Sequence, residues 1–303
     1  MASLPSTAAD ADAGAVYARG LGFVTMGGLL LSLDIPMIRL SDSSFWSAVL
    51  IRSSLAVLAV LALWAFERRG GKAPPLVAGR AGLLVTGLYT CSSLGFVTAI
   101  FTTDAANVVF ILALNPLFAA ILSFLLIGER PSLATVLAVP VTLLGIALII
   151  GSGLESGNWM GDLAALATAL CIALALTLTR RSGRDMRYAS ALGMLPCALL
   201  AAPFAFAEGL HSESVGWLVA NGGLVLPISL VCLSIAPSFV PAPVVSMGYL
   251  LETVLAPLWV WMVFDEVPRT MALVGGAVVI AALVGHSAME LAQRRRPKQA
   301  PAA

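Results

Sequence analysis

Charged residues are scarce in this sequence. Asp, Glu, Lys and Arg make up 11% of its 303 residues, against about a quarter in ordinary soluble domains. Hydrophobic residues make up 59%. A soluble chain of this length could not cover its surface with so few charges, so the apolar excess must face lipid. The net charge of +1 gives no indication of a nucleic-acid or other strongly charged partner.

Residues that build metal and redox sites are also few. The two histidines, His211 and His286, have no ligand partners in the sequence. The four cysteines lie inside apolar runs without metal-ligand spacing, where cysteine usually packs as a small hydrophobic side chain. They are Cys91, Cys171, Cys197 and Cys232. We therefore expect no metal, no cofactor and no disulfide framework.

Long apolar runs, in contrast, are frequent. A helix needs roughly 20 apolar residues to cross the hydrocarbon core of a bilayer. Ten runs qualify, at 18–38, 44–66, 80–101, 105–127, 132–151, 159–180, 187–206, 216–236, 242–264 and 269–288. The predicted fold class is therefore an all-α integral membrane protein with ten transmembrane helices.

Basic residues indicate the orientation, because Lys and Arg accumulate on the cytoplasmic side of a membrane. In a ten-span arrangement, fourteen of the 17 basic residues fall on one side. They are Arg19, Arg68, Arg69, Lys72, Arg80, Arg130, Arg180, Arg181, Arg184, Arg187, Arg294, Arg295, Arg296 and Lys298. Both termini are predicted to be cytoplasmic, with residues 1–16 as a disordered cap and residues 289–303 as a basic tail.

The two halves of the chain repeat each other. A shift of 137 residues places Glu129 on Glu266 and Asn115 on Glu252. Each half then holds five spans, and because five is odd the second half crosses the membrane in the opposite sense, as in many transporters. The predicted inverted repeats are residues 17–151 and 152–288.

These features resemble a known family. The fourth span contains Pro116 and ends in GERP at 128–131, the ninth contains Pro257 and ends in DEVP at 265–268, and the second contains Arg52. The chain resembles the drug/metabolite transporter superfamily in its ten-helix EamA-type branch, and is most similar there to the bacterial aromatic amino acid exporters. The resemblance implies alternating access in the bacterial inner membrane, with spans one, three, four, six, eight and nine around the substrate.

The ninth span contains the deepest carboxylate. A charged group at membrane depth is costly and usually marks a pathway or a paired site. Tyr249, Glu252, Ala256 and Trp259 share one helical face at three- and four-residue steps. This face suits a substrate ammonium or aromatic ring. The structural alternative is a protonated Glu252 in helix packing.

The third and fourth spans supply further pathway candidates. Tyr89, Ser92, Ser93 and Phe96 share a face of the third span, where hydroxyls either line a pathway or hold helices together. Asn115 lies next to the helix-bending Pro116 and is the repeat counterpart of Glu252.

Arg52 and Asp34 fall a turn or two inside the same ends of adjacent spans, so they are placed to meet. Two roles are open for them. They form a structural ion pair, or Arg52 receives a substrate carboxylate while Asp34 is its resting counter-ion. Asp34-Ile35-Pro36 also predicts a local break in the first helix.

Other activities are disfavoured. The titratable residues within the spans are Asp34, Arg52, Asp162 and Glu252, which offer no nucleophile paired with a base, so we expect no enzyme. No glycine-rich phosphate loop is present, so we expect no nucleotide partner. Both lysines lie outside the spans, which leaves little positive charge for a phosphorylated substrate.

The first hypothesis is therefore a secondary transporter that exports neutral or aromatic amino acids. The alternative is a proton-coupled exporter of cationic drugs that uses Glu252. The expected partners are a small-molecule substrate and the lipid bilayer. The sequence leaves the exact substrate, the coupling ion, the direction of flux and the oligomeric state open, and a monomer is compatible with it.

Overall fold

The computed structural model describes most of the chain. It covers residues 7–71, 73–128, 133–156, 158–236, 239, 242–265 and 267–295. Within these residues the chain is helical, with one isolated bridge between Ser43 and Ser212. The helices are α1 Thr7–Leu31, α2 Asp34–Leu40, α3 Phe45–Arg69, α4 Gly79–Thr102, α5 Ala105–Leu112, α6 Asn115–Ile127, α7 Leu133–Ser156, α8 Trp159–Ser182, α9 Ala189–Leu192, α10 Met194–Glu208, α11 Val215–Ala220, a π-helix Asn221–Val225, α12 Leu226–Ile235, α13 Ala242–Phe264 and α14 Thr270–Arg295.

Seven helical segments among the described residues are long and apolar enough to cross a membrane. They are Val16–Leu40, Phe45–Arg69, Gly79–Thr102, Ala105–Ile127, Trp159–Ser182, Ala189–Glu208 and Val215–Leu233. Shorter apolar stretches occupy the predicted fifth, ninth and tenth spans, at Val136–Ile149, Leu251–Phe264 and Thr270–Ala282. The protein is thus an all-helical multi-pass membrane protein, while the count of ten spans stays a prediction.

The first helix begins earlier than the sequence analysis expects. Helix α1 starts at Thr7, within the segment for which the sequence predicts a disordered cap. Alanine, the most favourable helix former, occupies five of the positions 7–16. Several residues used in the orientation and repeat predictions lie outside the described residues: Lys72, Glu129, Arg130, Glu266, Arg296 and Lys298.

The short helix α5 lies in the interior of the bundle. Every residue of Ala105–Ile111 is buried, and α5 packs against α4, α7, α8, α13 and α14. Lipid tails are as apolar as leucine, so close packing and hydrogen bonds, rather than removal from water, hold such an interior helix in place.

Small residues bring α7 and α14 together. A Cβ atom on Gly275 would lie 2.5 Å from the carbonyl oxygen of Gly145, and one on Gly145 would lie 2.8 Å from the carbonyl oxygen of Gly275. The two backbones are therefore in direct contact, as small residues permit between membrane helices.

The bundle has two ends, which we call the Arg39 end and the Arg187 end. The α2–α3, α4–α5, α7–α8, α10–α11 and α13–α14 connections lie at the Arg39 end. The α3–α4 and α8–α9 connections lie at the Arg187 end.

Candidate functional site

The first predicted span is broken where its carboxylate lies. Helix α1 ends at Leu31 and α2 begins at Asp34, so the break lies where the sequence predicts it. Pro36 has no N–H to donate to the carbonyl oxygen of Ser32, four residues earlier, which prevents a continuous α-helix. The break places the Asp34 carboxylate inside the bundle, where this residue is 3% exposed.

A second irregular segment lies in the eighth predicted span. Residues Asn221–Val225 form a π-helix between α11 and α12. Pro227 follows it and cannot donate to the carbonyl oxygen of Gly223, which explains why regular α-helical bonding fails here. Single π-helical turns occur frequently at functional sites. Here the π-helix carries Asn221, which is 0% exposed.

Arg52 of α3 joins these two irregular segments. Its Nη2 lies 2.7 Å from Asp34 Oδ2 and its Nε 3.3 Å from Asp34 Oδ1. The same Nε donates to Asn221 Oδ1 at 3.1 Å. Asn221 Nδ2 in turn donates to Asp34 Oδ1 at 2.7 Å and to the backbone carbonyl of Asp34 at 3.3 Å. We call these three residues the Arg52 triad.

The surroundings of the triad are apolar and tight. Arg52 is 3% exposed, and its guanidinium lies 5.4 Å from the centre of the Phe96 ring on α4. A cation over an aromatic face is stabilised by the ring quadrupole. Gly222 packs on the backbone of Arg52, because a Cβ there would lie 2.5 Å from the Arg52 carbonyl oxygen.

The triad can therefore do two things chemically. Its opposite charges balance, and each partner is hydrogen-bonded, which makes burial tolerable. It also offers a planar guanidinium that is able to bind a carboxylate through two hydrogen bonds. The geometry brings together the predicted pair of Arg52 and Asp34.

Glu252 lies on α13, which packs against α1, α2 and α5. It is half-buried. Further along the same helix, Trp259 Nε1 donates to Ser32 Oγ at 3.0 Å. The predicted face of Glu252 and Trp259 thus turns toward the break in the first span. The side chain of Tyr249, the third member of that face, lies outside the described part.

Asn115 begins helix α6, immediately after a break at 113–114. Its Oδ1 is buried and has no hydrogen-bond partner within the described structure. A buried acceptor without a partner is uncommon in proteins, and this oxygen is available to accept a hydrogen bond from water or from a ligand.

The residues of the predicted polar face of α4 contact different neighbouring helices. Phe96 contacts Arg52. The backbone carbonyl of Ser92 accepts a hydrogen bond from Thr168 of α8 at 3.4 Å. Ser93 is buried and Tyr89 is half-buried. Phe96 therefore joins the triad directly, whereas Ser92 lies at the contact with α8.

A network of charged and polar side chains lies at the Arg187 end. The Tyr188 hydroxyl donates to Glu67 Oε2 at 2.5 Å, and Arg187 lies 3.5 Å from the same carboxylate. Arg187 also pairs with Asp185. The hydrogen bond from the Arg187 guanidinium holds the pKa of Asp185 below its ordinary value, against the effect of partial burial. The network joins α3 to the α8–α9 connection.

Asn221 is the member of the Arg52 triad that the sequence did not predict. Its signal is a polar amide inside an apolar run, next to two glycines and six residues before a proline. Polar residues at membrane depth are rare and usually functional. Its partners Asp34 and Arg52 lie more than 160 residues away in sequence, so the sequence did not indicate them.

The protein is a helical multi-pass membrane protein, and part of its sequence matches a known family. Residues 18–151 match the model of the EamA-like transporter family. The predicted resemblance to the drug/metabolite transporter superfamily is thereby confirmed for that stretch.

A curated relative and a solved structure resemble more of the chain. The relative, from Archaeoglobus fulgidus, bears the name "Uncharacterized transporter" and is 28% identical over 207 residues, which cover 67% of this chain and 74% of the relative. One crystal structure of a protein with no stated function aligns with a TM-score of 0.65 over 92% of this chain and 99% of its own, at 20% identity. At that identity the likeness shows the fold alone.

Proposed function

We propose that this chain is a secondary transporter, which exports neutral or aromatic amino acids across the bacterial inner membrane by alternating access. The EamA-like match over residues 18–151 and the name of the archaeal relative support the transport class. The observation that carries the substrate class is the buried pair of Arg52 and Asp34, which is hydrogen-bonded to Asn221 of the π-helix. Helix α13, which contains Glu252, packs against α2, which contains Asp34.

A zwitterion fits this set of charges. Its carboxylate would take the guanidinium of Arg52, which binds carboxylates through two parallel hydrogen bonds. Its ammonium group would take Asp34 or Glu252. Because both charges of the substrate meet an opposite charge, substrate binding adds no net charge to the apolar interior. Phe96 and Trp259 supply aromatic surfaces for the substrate side chain.

Alternating access is supported by helix positions that repeat. Helix α5 begins at 105 and α13 at 242, α6 ends at 127 and α13 at 264, and α7 begins at 133 and α14 at 270. Each pair of positions is 137 residues apart, the shift that aligns the two halves of the sequence. Inverted repeats place a central site between two elements that rock about it.

Helix packing follows the same pairing. Helix α4 packs on α8, and their repeat counterparts α11–α12 and α1 also pack on each other. Helix α6 packs on α8, and its counterpart α13 packs on α1. We propose ten spans in two inverted repeats, with the basic Arg187 end in the cytoplasm.

A second function is favoured by one observation. Arg52 supplies one positive charge, whereas Asp34 and Glu252 are two carboxylates on helices that pack on each other. The surplus negative charge would suit a cationic substrate or a proton. A proton-coupled exporter of cationic drugs is therefore the second candidate.

The test is a solute panel in proteoliposomes, with and without a proton gradient. We expect exchange of radiolabelled aromatic and neutral amino acids, with competition by zwitterions but not by the corresponding amides or amines. The amide removes the carboxylate that Arg52 would bind. Protein-free liposomes are the control. Transport of cationic drugs alone would establish the second candidate, and transport of sugar phosphates alone would refute both.

A further inference from the structure

The first turn of α8 contains a buried acid outside the Arg52 triad. Asp162 is 0% exposed, and its Oδ1 accepts hydrogen bonds from the Thr103 hydroxyl at 2.6 Å and from Asn107 Nδ2 at 3.0 Å. Its Oδ2 is buried without a partner in the described structure, and so is Oδ1 of Asn107, which is also 0% exposed. Two acceptor oxygens are therefore unpaired in one small cluster, where buried polar atoms normally find partners.

The two unpaired oxygens belong to groups that already touch. The 3.0 Å hydrogen bond runs from Asn107 Nδ2 to Asp162 Oδ1. The unpaired Oδ2 belongs to the same carboxyl group as this acceptor, and the unpaired Oδ1 of Asn107 belongs to the same amide group as this donor. A carboxylic acid and a primary amide are able to pair through two hydrogen bonds, from amide N–H to acid oxygen and from acid O–H to amide oxygen. In that arrangement, one hydrogen on Asp162 Oδ2 would satisfy both unpaired oxygens.

We propose that Asp162 and Asn107 form a proton-binding site, which exchanges its proton with the medium at the Arg39 end and couples transport to pH. We call the two residues the acid–amide pair. Loading adds one proton from the medium to the carboxylate, and unloading returns it, so no other reactant is needed. The coupling role rests on the proposed function, whereas the proton site does not.

Close packing favours a proton over a metal ion. A Cβ on Gly161 would lie 2.6 Å from Thr102 Oγ1 and 2.7 Å from Thr103 Cβ, so the start of α8 lies directly on the α4–α5 connection. A hard metal cation needs several oxygen ligands and room for them, whereas a proton needs only the two oxygens of the pair. The helix N-terminus stabilises a charged carboxylate, but this stabilisation is smaller than the desolvation free energy of a buried charge that lacks some of its hydrogen-bond partners.

Among the described residues, no cationic side chain forms a recorded hydrogen bond or ion pair with the acid–amide pair. Asp104 is the nearby acid, and it is paired with Arg269 at 3.3 Å. Arg39 donates to backbone carbonyls at the end of α4. Of the other helices that pack on α8, α5 and α6 contain no charged residue, Arg80 of α4 lies at the opposite end, and Glu155 of α7 has its side chain outside the described part.

A pocket brings the medium close to the pair. It has a volume of about 490 Å³ at the Arg39 end, and Thr103 and Asn158 are among its lining residues. Thr103 also donates to Asp162, so a residue that lines the pocket is in direct contact with the acid. This is the side from which the proton enters.

Infrared spectroscopy of the reconstituted full-length protein tests the site without any transport. The spectrum of wild type minus that of Asp162→Asn should show the carbonyl band of a protonated carboxyl near neutral pH, and the band should shift in D₂O. Glu252→Gln, which alters a carboxyl outside the acid–amide pair, is the matched control and should leave this band in place. A difference spectrum with carboxylate bands in its place would overturn the proposal.

Stability supplies a second readout. Asp162→Asn preserves an acceptor for Thr103 and Asn107 and adds an N–H for the Asn107 oxygen, as the neutral acid does. Its thermal midpoint in detergent should therefore equal that of wild type, whereas Asp162→Leu should unfold earlier. If Asp162→Asn unfolds earlier as well, the carboxylate is charged and the site is refuted. Asn107→Leu should move the acid band to higher frequency, and an unmoved band would also refute the pairing.

The coupling role has its own experiment. In proteoliposomes, Asp162→Asn should exchange substrate at the rate of the proton-loaded wild type, and that rate should no longer change with the pH of the medium at the Arg39 end. A wild-type dependence on that pH would overturn the coupling role. If no solute is transported by wild type, the proposed function fails, while the infrared result still decides whether the acid–amide pair holds a proton.

Discussion

The backbones of Gly222 and Arg52 are in direct contact. A Cβ atom on Gly222 would lie 2.5 Å from the carbonyl oxygen of Arg52 and 2.9 Å from its Cα, so the π-helix and α3 approach as closely as two backbones can. This contact positions Asn221, the residue before the glycine, to accept from Arg52 Nε at 3.1 Å. The hydrogen bonding of the triad thus depends on a residue without a side chain.

Replacing that glycine should disrupt the triad. Gly222→Ala must push the π-helix away from α3, and overpacking of this kind costs typically about 1–3 kcal/mol. We expect an earlier thermal midpoint in detergent and reduced transport. Gly223→Ala is the matched control, because a Cβ there meets nothing within 4 Å. Equal effects of the two changes would show that the close contact is not the cause.

Removing one charge of the buried pair should destabilise the protein. Arg52→Leu leaves Asp34 buried without its cation, and breaking a buried pair in this way costs about 3–5 kcal/mol. The double change with Asp34→Leu should recover much of the lost folded yield, measured by size-exclusion chromatography. Arg187→Leu, which breaks a half-exposed pair, is the control and should have little effect. A single Arg52 variant that folds normally but does not transport would favour the substrate-carboxylate role.

Glu252→Gln separates two roles of this carboxylate. The change keeps the shape and the hydrogen-bonding capacity of the side chain but removes its charge. If Glu252 binds the substrate ammonium, affinity in a binding assay should fall at every pH while the gradient response persists, which is the result we expect. Loss of the gradient response with unchanged affinity would assign proton coupling to Glu252 and support the second candidate function. A variant that matches wild type in both measurements would show that Glu252 serves helix packing.

The topology predicts which positions a membrane-impermeant thiol reagent reaches. With the four native cysteines replaced, Lys72→Cys and Lys298→Cys should be labelled only from the cytoplasmic side. His211→Cys, at the Arg39 end, should be labelled only from outside. Labelling of either lysine position from outside would refute the arrangement of ten spans with both termini in the cytoplasm.

The network at the Arg187 end should contribute modestly to stability. Tyr188→Phe removes the hydroxyl that donates to Glu67, and a hydrogen bond to a charged group is worth about 1.5–3 kcal/mol. Because Arg187 remains beside that carboxylate, we expect a loss at the lower limit of this range, measured by thermal unfolding. Tyr17→Phe removes a hydroxyl from an exposed side chain and should change nothing. A larger loss in the control would show that the assay reports on detergent contacts.

The sequence by itself was sufficient to identify a helical membrane protein and the approximate position of each apolar helix. The thickness of the bilayer sets the length of an apolar run, and helical periodicity is local, so both can be read from neighbouring residues. The same local reasoning located the break before Asp34 from Pro36, and identified Arg52 as a costly charge in an apolar run that needs a partner.

Only the tertiary structure decided which polar side chains meet. Arg52 and Asn221 are 169 residues apart in sequence and 3.1 Å apart in space, and Asp162 and Asn107 are 55 residues apart in sequence and 3.0 Å apart in space. Such pairs depend on how each helix is rotated and shifted against its neighbours. That placement results from packing along whole helices, including the contact at Gly222, and no local pattern of residues specifies it.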